Sequence, residues 1–172
     1  MAASIVLVIS GEGDGALIRD GAKEAARLLG YPNEPRKISL IEAAYLIYIG
    51  NAEALTEDGQ RLTFRDVISI ALKRSAYAWV LFEVYYDLRK RGKIPVPGPR
   101  PHSLLVRRSK KALRYSHYIL VLEESRKLPI EELFSFVEEA MHNQWEPIVA
   151  IVDRYGDITY YSMRPLYPRR AR

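Results

Sequence analysis

At 172 residues, 48% apolar and 27% charged, the chain can build a packed core; wholesale disorder is excluded, and one domain or two small ones are predicted. It has no cysteine and only His102, His117 and His142, so disulfides, thiolate zinc sites and cysteine nucleophiles are excluded and neither a metal nor a cofactor is expected. No apolar run approaches the roughly 18 residues of a membrane span and no charged-then-apolar leader is seen, so a cytoplasmic location without membrane attachment is expected.

In chain order, Ser4 to Ile9, the glycine-rich Gly11 to Gly15 and Ala16 to Ile18 predict a β-hairpin. Gly11, Gly13 and Ala16 formally match a loose dinucleotide fingerprint, but Glu12 and Asp14 would repel a pyrophosphate, and a hairpin turn is the better account. Asp20 is expected to cap a helix over 21–29, closed by Gly30 and Pro32. Ser39 and Glu42 fit a capping box for a helix reaching Tyr48 and Gly50. Glu57 to Gln60 reads as a turn between short strands, and Thr63 to Asp66 as the start of another helix.

From Ser75 the pattern changes. Residues 76–91 carry Tyr77, Trp79, Phe82, Tyr85 and Tyr86 at helical spacing, as helix-packing residues, and Gly92 ends the helix. Lys93 to His102 holds four prolines and is expected to be an extended connection without regular pairing. Strands are predicted over 103–107 and 115–122, and Pro129 opens an amphipathic helix to His142. A hairpin of Ile148 to Val152 and Ile158 to Met163, turning at Asp153 to Asp157, closes the chain, with a mobile tail at Arg169 to Arg172. The order predicts an α+β protein of two small mixed domains, 1–74 and 75–172, the second a mixed sheet flanked by helices.

The net charge of +5 is unevenly spread: ten basic side chains and no acidic one lie between Arg89 and Arg114, so the remainder nets −5. Arg89, Arg91, Arg100, Arg107, Arg108, Lys110, Lys111 and Arg114 are therefore candidate RNA contacts, because phosphates supply most sequence-independent nucleic-acid affinity. A solvated basic face is the alternative. His117, beside this stretch, is either a packing residue or a proton-transfer group for metal-free RNA cleavage.

Three segments resemble the archaeal tRNA-splicing endonuclease family, in that family's order. Ile38 to Leu46 is similar to its "LSLIEALYL" helix and Tyr85 to Gly92 to its "vYrDLrkRG" helix end. Ile148 to Asp153 with Gly156 to Tyr161 resembles its "lvlAvVD..GDvTYY" hairpin. The resemblance implies the tRNA-intron endonuclease fold and a Tyr/His/Lys triad in the C-terminal half. Laid on this chain, the triad positions fall on Arg107, Tyr115 and Trp145 (or Glu146), and the arginine that holds a bulged base falls on Glu138. The glycine-phenylalanine-glycine stretch before the catalytic tyrosine is replaced by Pro97 to Pro101.

With all three chemical positions substituted, the chain looks like the non-catalytic structural subunit of a heteromeric endonuclease. It would support a catalytic sister subunit in an α2β2 assembly acting on pre-tRNA at bulge-helix-bulge motifs. In the family, an acidic loop docks into a basic cleft of the opposing subunit and the last strand pairs edge to edge. That implies docking roles for Asp153, Asp157, Tyr160 and Tyr161; aspartates that simply build the turn are the alternative. Two further readings stand beside this one. The chain could itself be a metal-independent endonuclease, using His117 with Tyr115 and Lys110 or Lys111 and leaving 2′,3′-cyclic phosphate and 5′-OH ends, or a stand-alone basic RNA-binding protein.

Overall fold

The computed structural model describes residues 4–166; the tail from Arg169 to Arg172, expected to be mobile, lies outside them. The first half builds a five-stranded mixed sheet. A hairpin of β1 (Ile5–Ile9) and β2 (Gly15–Asp20) is followed by α1 (Ala22–Leu29), β3 (Lys37–Ser39) and α2 (Leu40–Tyr48). The short strands β4 (Ala52–Leu55) and β5 (Arg61–Leu62) and helix α3 (Phe64–Arg74) complete it. The strand order is β3-β2-β1-β4-β5, with β1 and β4 parallel and the other pairs antiparallel.

The long helix α4 (Ala78–Lys90) leads into a second five-stranded mixed sheet. Its elements are β6 (Ile94–Pro97), β7 (Ser103–Arg107), β8 (His117–Glu123), α5 (Ile130–His142), β9 (Glu146–Val152) and β10 (Ile158–Ser162), ordered β10-β9-β8-β7-β6. Only β8 and β9 are parallel, joined by α5 as a crossover needs. The protein is thus mixed α+β, with two mixed sheets flanked by helices. No helix among the described residues is long and apolar enough to cross a membrane.

Burial on β8 explains its unbroken apolar run. Ile119 and Val121 join the large core with Val84, Tyr85 and Leu88 of α4, whereas Tyr118, Leu120 and Leu122 meet Phe136 and Ala140 of α5. A strand covered on both faces has no solvent side to alternate with. The larger core is continuous from β1 (Ile5, Leu7, Ile9) through α2 and α4 to β9 (Ala150, Val152), so α4 packs against both halves.

The predicted capping box of α2 forms, and the start expected for α3 proves to be a second one. Ser39 and Glu42, and Thr63 and Asp66, each satisfy the other's backbone N–H. Three expectations change. Asp20 ends β2 rather than capping α1: its carboxylate accepts from the N–H of Gly21, and Gly21 itself is the N-cap at φ 79°. A side chain there would meet the Ser4 carbonyl at 2.2 Å, so only glycine lets the chain turn that close to β1. The proline-rich segment is not unpaired, because Ile94–Pro97 forms β6 against β7. Proline is tolerated at the sheet edge, where its missing N–H faces no neighbour. The short β3 was not expected, since three residues leave no readable period.

Candidate functional site: the substituted triad positions

Arg107 ends β7 and is only 7% exposed. Its guanidinium donates to the carbonyl of Gly30, the residue that closes α1, and to that of Ala112 at 3.1 Å. Neighbouring cations do the same along the end of α1. Arg89 donates to the carbonyls of Leu28 and Leu29, and Lys110 to that of Arg27 at 2.8 Å. Four successive carbonyls at the negative end of a helix therefore receive three cations from the second half of the chain. Arg89 also lies 5.1 Å from the centre of the Tyr45 ring.

The candidate RNA contacts divide accordingly. Arg107 is buried and Arg89 half-buried, and both donate to the carbonyls at the end of α1. Arg100 is held by Glu139 at 3.2 Å and by Ser135 at 2.9 Å on α5. Arg91 pairs with Asp87 at 2.7 Å, and Lys110 reaches Arg27. Arg108, Lys111 and Arg114 are exposed and make no hydrogen bond or ion pair among the described residues. The buried cations were not separable from the exposed ones by composition. The signal was position, since Arg107 ends an apolar strand.

Tyr115 and Trp145 do come together. Their rings lie 6.4 Å apart, edge to face, and Trp145 continues the stack to Tyr118 at 5.6 Å. Gln144, at φ 59°, is the left-handed residue after α5, and the following N–H, from Trp145, bonds the Ala140 carbonyl at 2.8 Å. That turn sets the Trp145 ring against Tyr115. The segments Leu113–Tyr115 and Asn143–Trp145 border an open hollow of about 390 Å³ whose lining holds neither imidazole nor ammonium. Arginine cannot serve as a base near neutral pH, and an indole offers no cation.

His117 sits elsewhere. Its Nδ1 is 2.6 Å from the Ser116 hydroxyl and its Nε2 3.4 Å from Glu146 on β9. Burial holds its pKa below the usual histidine value, against the opposing pull of Glu146. Of the residues expected beside it, Tyr115 packs edge to face on Trp145, Lys110 donates to the Arg27 carbonyl on α1, and Lys111 is exposed. His117, Lys93, Arg91 and Tyr160 do border a small hollow of about 180 Å³. The rest of its wall is Leu88, Val106, Ile119 and Ile148, and the Tyr160 hydroxyl donates to Asp87 at 2.7 Å.

The closing loop is built by its own aspartate. Asp153 accepts from the N–H groups of Tyr155 (2.8 Å) and Asp157 (2.9 Å), with Gly156 at φ 86°. The Asp157 side chain is exposed and makes no hydrogen bond or ion pair among the described residues. Tyr160, expected at an interface, is turned inward onto Asp87 beneath Arg91, whereas Tyr161 faces solvent. The strand that carries them, β10, is the terminal strand of its sheet.

A buried carboxylate that sequence reasoning had given only a capping role lies between the halves. Glu42 accepts from the Tyr31 hydroxyl as well as from Ser39. Desolvation raises its pKa, opposed by these hydrogen bonds and by Arg89.

Two sheets bridged by a shared helix, with a β8–α5–β9 crossover carrying the site, define the class: residues 78–160 match the family described as tRNA intron endonuclease, catalytic C-terminal domain. Similarity to full-length relatives goes further. A tRNA-splicing endonuclease of Pyrococcus furiosus is 35% identical over 128 residues, covering 73% of this chain and 74% of that protein. One of Pyrococcus abyssi is 33% identical over 127 residues with the same coverage, and one of Methanosarcina acetivorans 32% identical over 165 residues, 92% of this chain. The chain belongs to the tRNA-splicing endonuclease family. It spans 46% of the length of the Methanosarcina relative.

Proposed function

We propose that this chain is a non-catalytic structural subunit of a tRNA-splicing endonuclease, assembling with a catalytic sister subunit, as an α2β2 heterotetramer, to excise introns from pre-tRNA. One observation carries the reading. Where the family's tyrosine is expected, Arg107 is buried and fastened to Gly30, and the other two positions are an aromatic pair. Metal-free cleavage at a 2′-OH needs a base, an acid and a cation around one phosphate. None of the three residues supplies a base with an ordinary pKa near neutrality.

In this reading the sister subunit makes the cut, and this chain supplies geometry. The turn at Asp153 holds the Asp157 carboxylate outward as a preorganised anion for a basic cleft, and Tyr161 on the terminal strand faces the sister. Arg108, Lys111 and Arg114 are the cations that remain for the RNA backbone. Recognition of a bulge-helix-bulge would be by RNA shape, and the complex would work in the cytoplasm without metal or cofactor. The test is cleavage of an intron-bearing pre-tRNA by the purified chain alone, by a co-expressed sister alone and by both together. Activity only in the mixture is expected; cleavage by this chain alone overturns the reading.

A second reading, an active endonuclease, has one observation in its favour: His117, Lys93 and Tyr160 border the same small hollow. It predicts that the chain cleaves without a partner and that His117→Ala abolishes the cleavage.

A further inference from the structure

A cavity of about 470 Å³ opens between the two halves of the chain. Its wall draws on Leu40 of α2, Ala71 of α3 and Ala78 and Leu81 of α4, and on Leu104 of β7 with the proline-rich turn 97–101. Small-molecule sites measure roughly 300–1,000 Å³ and favour the seam between packed units. The polar part of the wall is already engaged. Asp14 pairs with Lys37, and the Ser39 hydroxyl belongs to the capping box of α2. Arg74 donates to the Gly11 carbonyl at 2.9 Å, and Arg100 is held by Glu139 at 3.2 Å. The Ser75 hydroxyl accepts from the N–H of Tyr77 at 3.3 Å, and that of Ser103 from the N–H of Arg100 at 3.0 Å. Each charged side chain of the wall thus has a partner inside the chain, and an ionic occupant would have to displace one.

Tyr85 is the exception. It is wholly buried, it forms part of the wall, and its hydroxyl has no hydrogen-bond partner. Long helical side chains lean toward the N-terminus of their helix, so Tyr85 lies over the turn that carries Leu81 and Ala78, the α4 residues of the same wall. Burial, with Glu42 nearby, keeps its pKa above the ordinary tyrosine value, so the hydroxyl stays a donor. A buried donor without an acceptor destabilises the free protein, and a ligand that supplies the acceptor removes that penalty.

We propose that this cavity binds an uncharged, largely apolar small molecule, one oxygen of which accepts from the Tyr85 hydroxyl. The apolar wall supplies the burial and the hydroxyl sets the orientation. Because the wall takes residues from both halves, the occupant ties α2 and α3 to β7, and its binding raises the stability of the fold. The cavity shares no residue with the loop at Asp153, the terminal strand or the pair Tyr115 and Trp145, so this proposal and the structural-subunit reading fail independently.

The experiment titrates the full chain with prodan, an uncharged naphthalene ketone whose fluorescence reports an apolar site, and follows thermal melting with and without it. Saturable one-to-one binding and a raised melting temperature are expected. Tyr85→Phe keeps the ring and removes only the donor, so it should melt no lower than wild type and bind prodan roughly fivefold more weakly. Filling the space with Ala78→Leu, or with Ala71→Leu on α3, should reduce binding at least as much. Absence of saturable binding by wild type overturns the proposal. So does a Tyr85→Phe variant that binds prodan as tightly as wild type, or one that melts lower because its hydroxyl was bonded within the protein.

Discussion

Arg107 and Gly30 are 77 positions apart in sequence, yet the guanidinium that ends β7 donates to the carbonyl that ends α1. The donor belongs to the second sheet and the acceptor closes a helix of the first half. With Arg89 and Lys110 on the preceding three carbonyls, the contact satisfies and neutralises the partly buried negative end of the helix.

Arg107→Ala is therefore expected to remove two hydrogen bonds from a charged donor and leave a carbonyl under-satisfied. The loss should be about 3 kcal/mol, read as a lower urea midpoint, with α1 becoming the first segment to exchange its amide hydrogens. Arg107→Tyr should lose comparable stability without conferring cleavage, because Tyr115 and Trp145 still supply neither base nor ammonium.

Glu42 should impose an alkaline-side sensitivity. Its folded pKa is raised by desolvation, so the folded state keeps a proton that the unfolded state has already released. The stability from this source is full below the ordinary glutamate range and is lost as pH rises through the folded value. Urea unfolding of Glu42→Gln across the acidic to neutral range should lack that decline, and wild type should show it.

His117 has the opposite sign. Its folded pKa is depressed by burial, so its contribution is present above the ordinary histidine value and is lost as pH falls through the folded one. An NMR titration of the imidazole should give a midpoint below that of unstructured histidine. His117→Gln should remove the corresponding acid-side loss of stability.

The two aspartates of the closing loop should separate into different roles. Asp153→Ala removes the acceptor of two backbone N–H groups and is expected to lower stability by about 1 kcal/mol and also to weaken binding of a sister subunit. Asp157→Ala leaves that turn intact, so thermal melting should be unchanged while titration calorimetry records weaker association.

Much of the fold was legible because its signals are local. The capping boxes at Ser39 and Thr63, the glycine closing α1 and the turn at Asp153 each rest on side chains a few residues apart. Strand β6 was missed because four prolines argue against pairing, and only its place at the edge of the sheet permits it. The candidate site was half legible. Motif order located Tyr115 and Trp145, which meet, but the direction of Arg89, Arg100, Arg107 and Tyr160 was not readable, since each points inward to a residue from another element.

The amino-acid sequence alone determined the helix and strand periods, their caps, the family motifs and the identity of the residues at the three substituted positions. Tertiary structure decided which cations are spent inside the protein and which stay exposed. A guanidinium's exposure depends on whether a helix end with unsatisfied carbonyls arrives beside it, and α1 arrives from a part of the chain that no local pattern connects to β7.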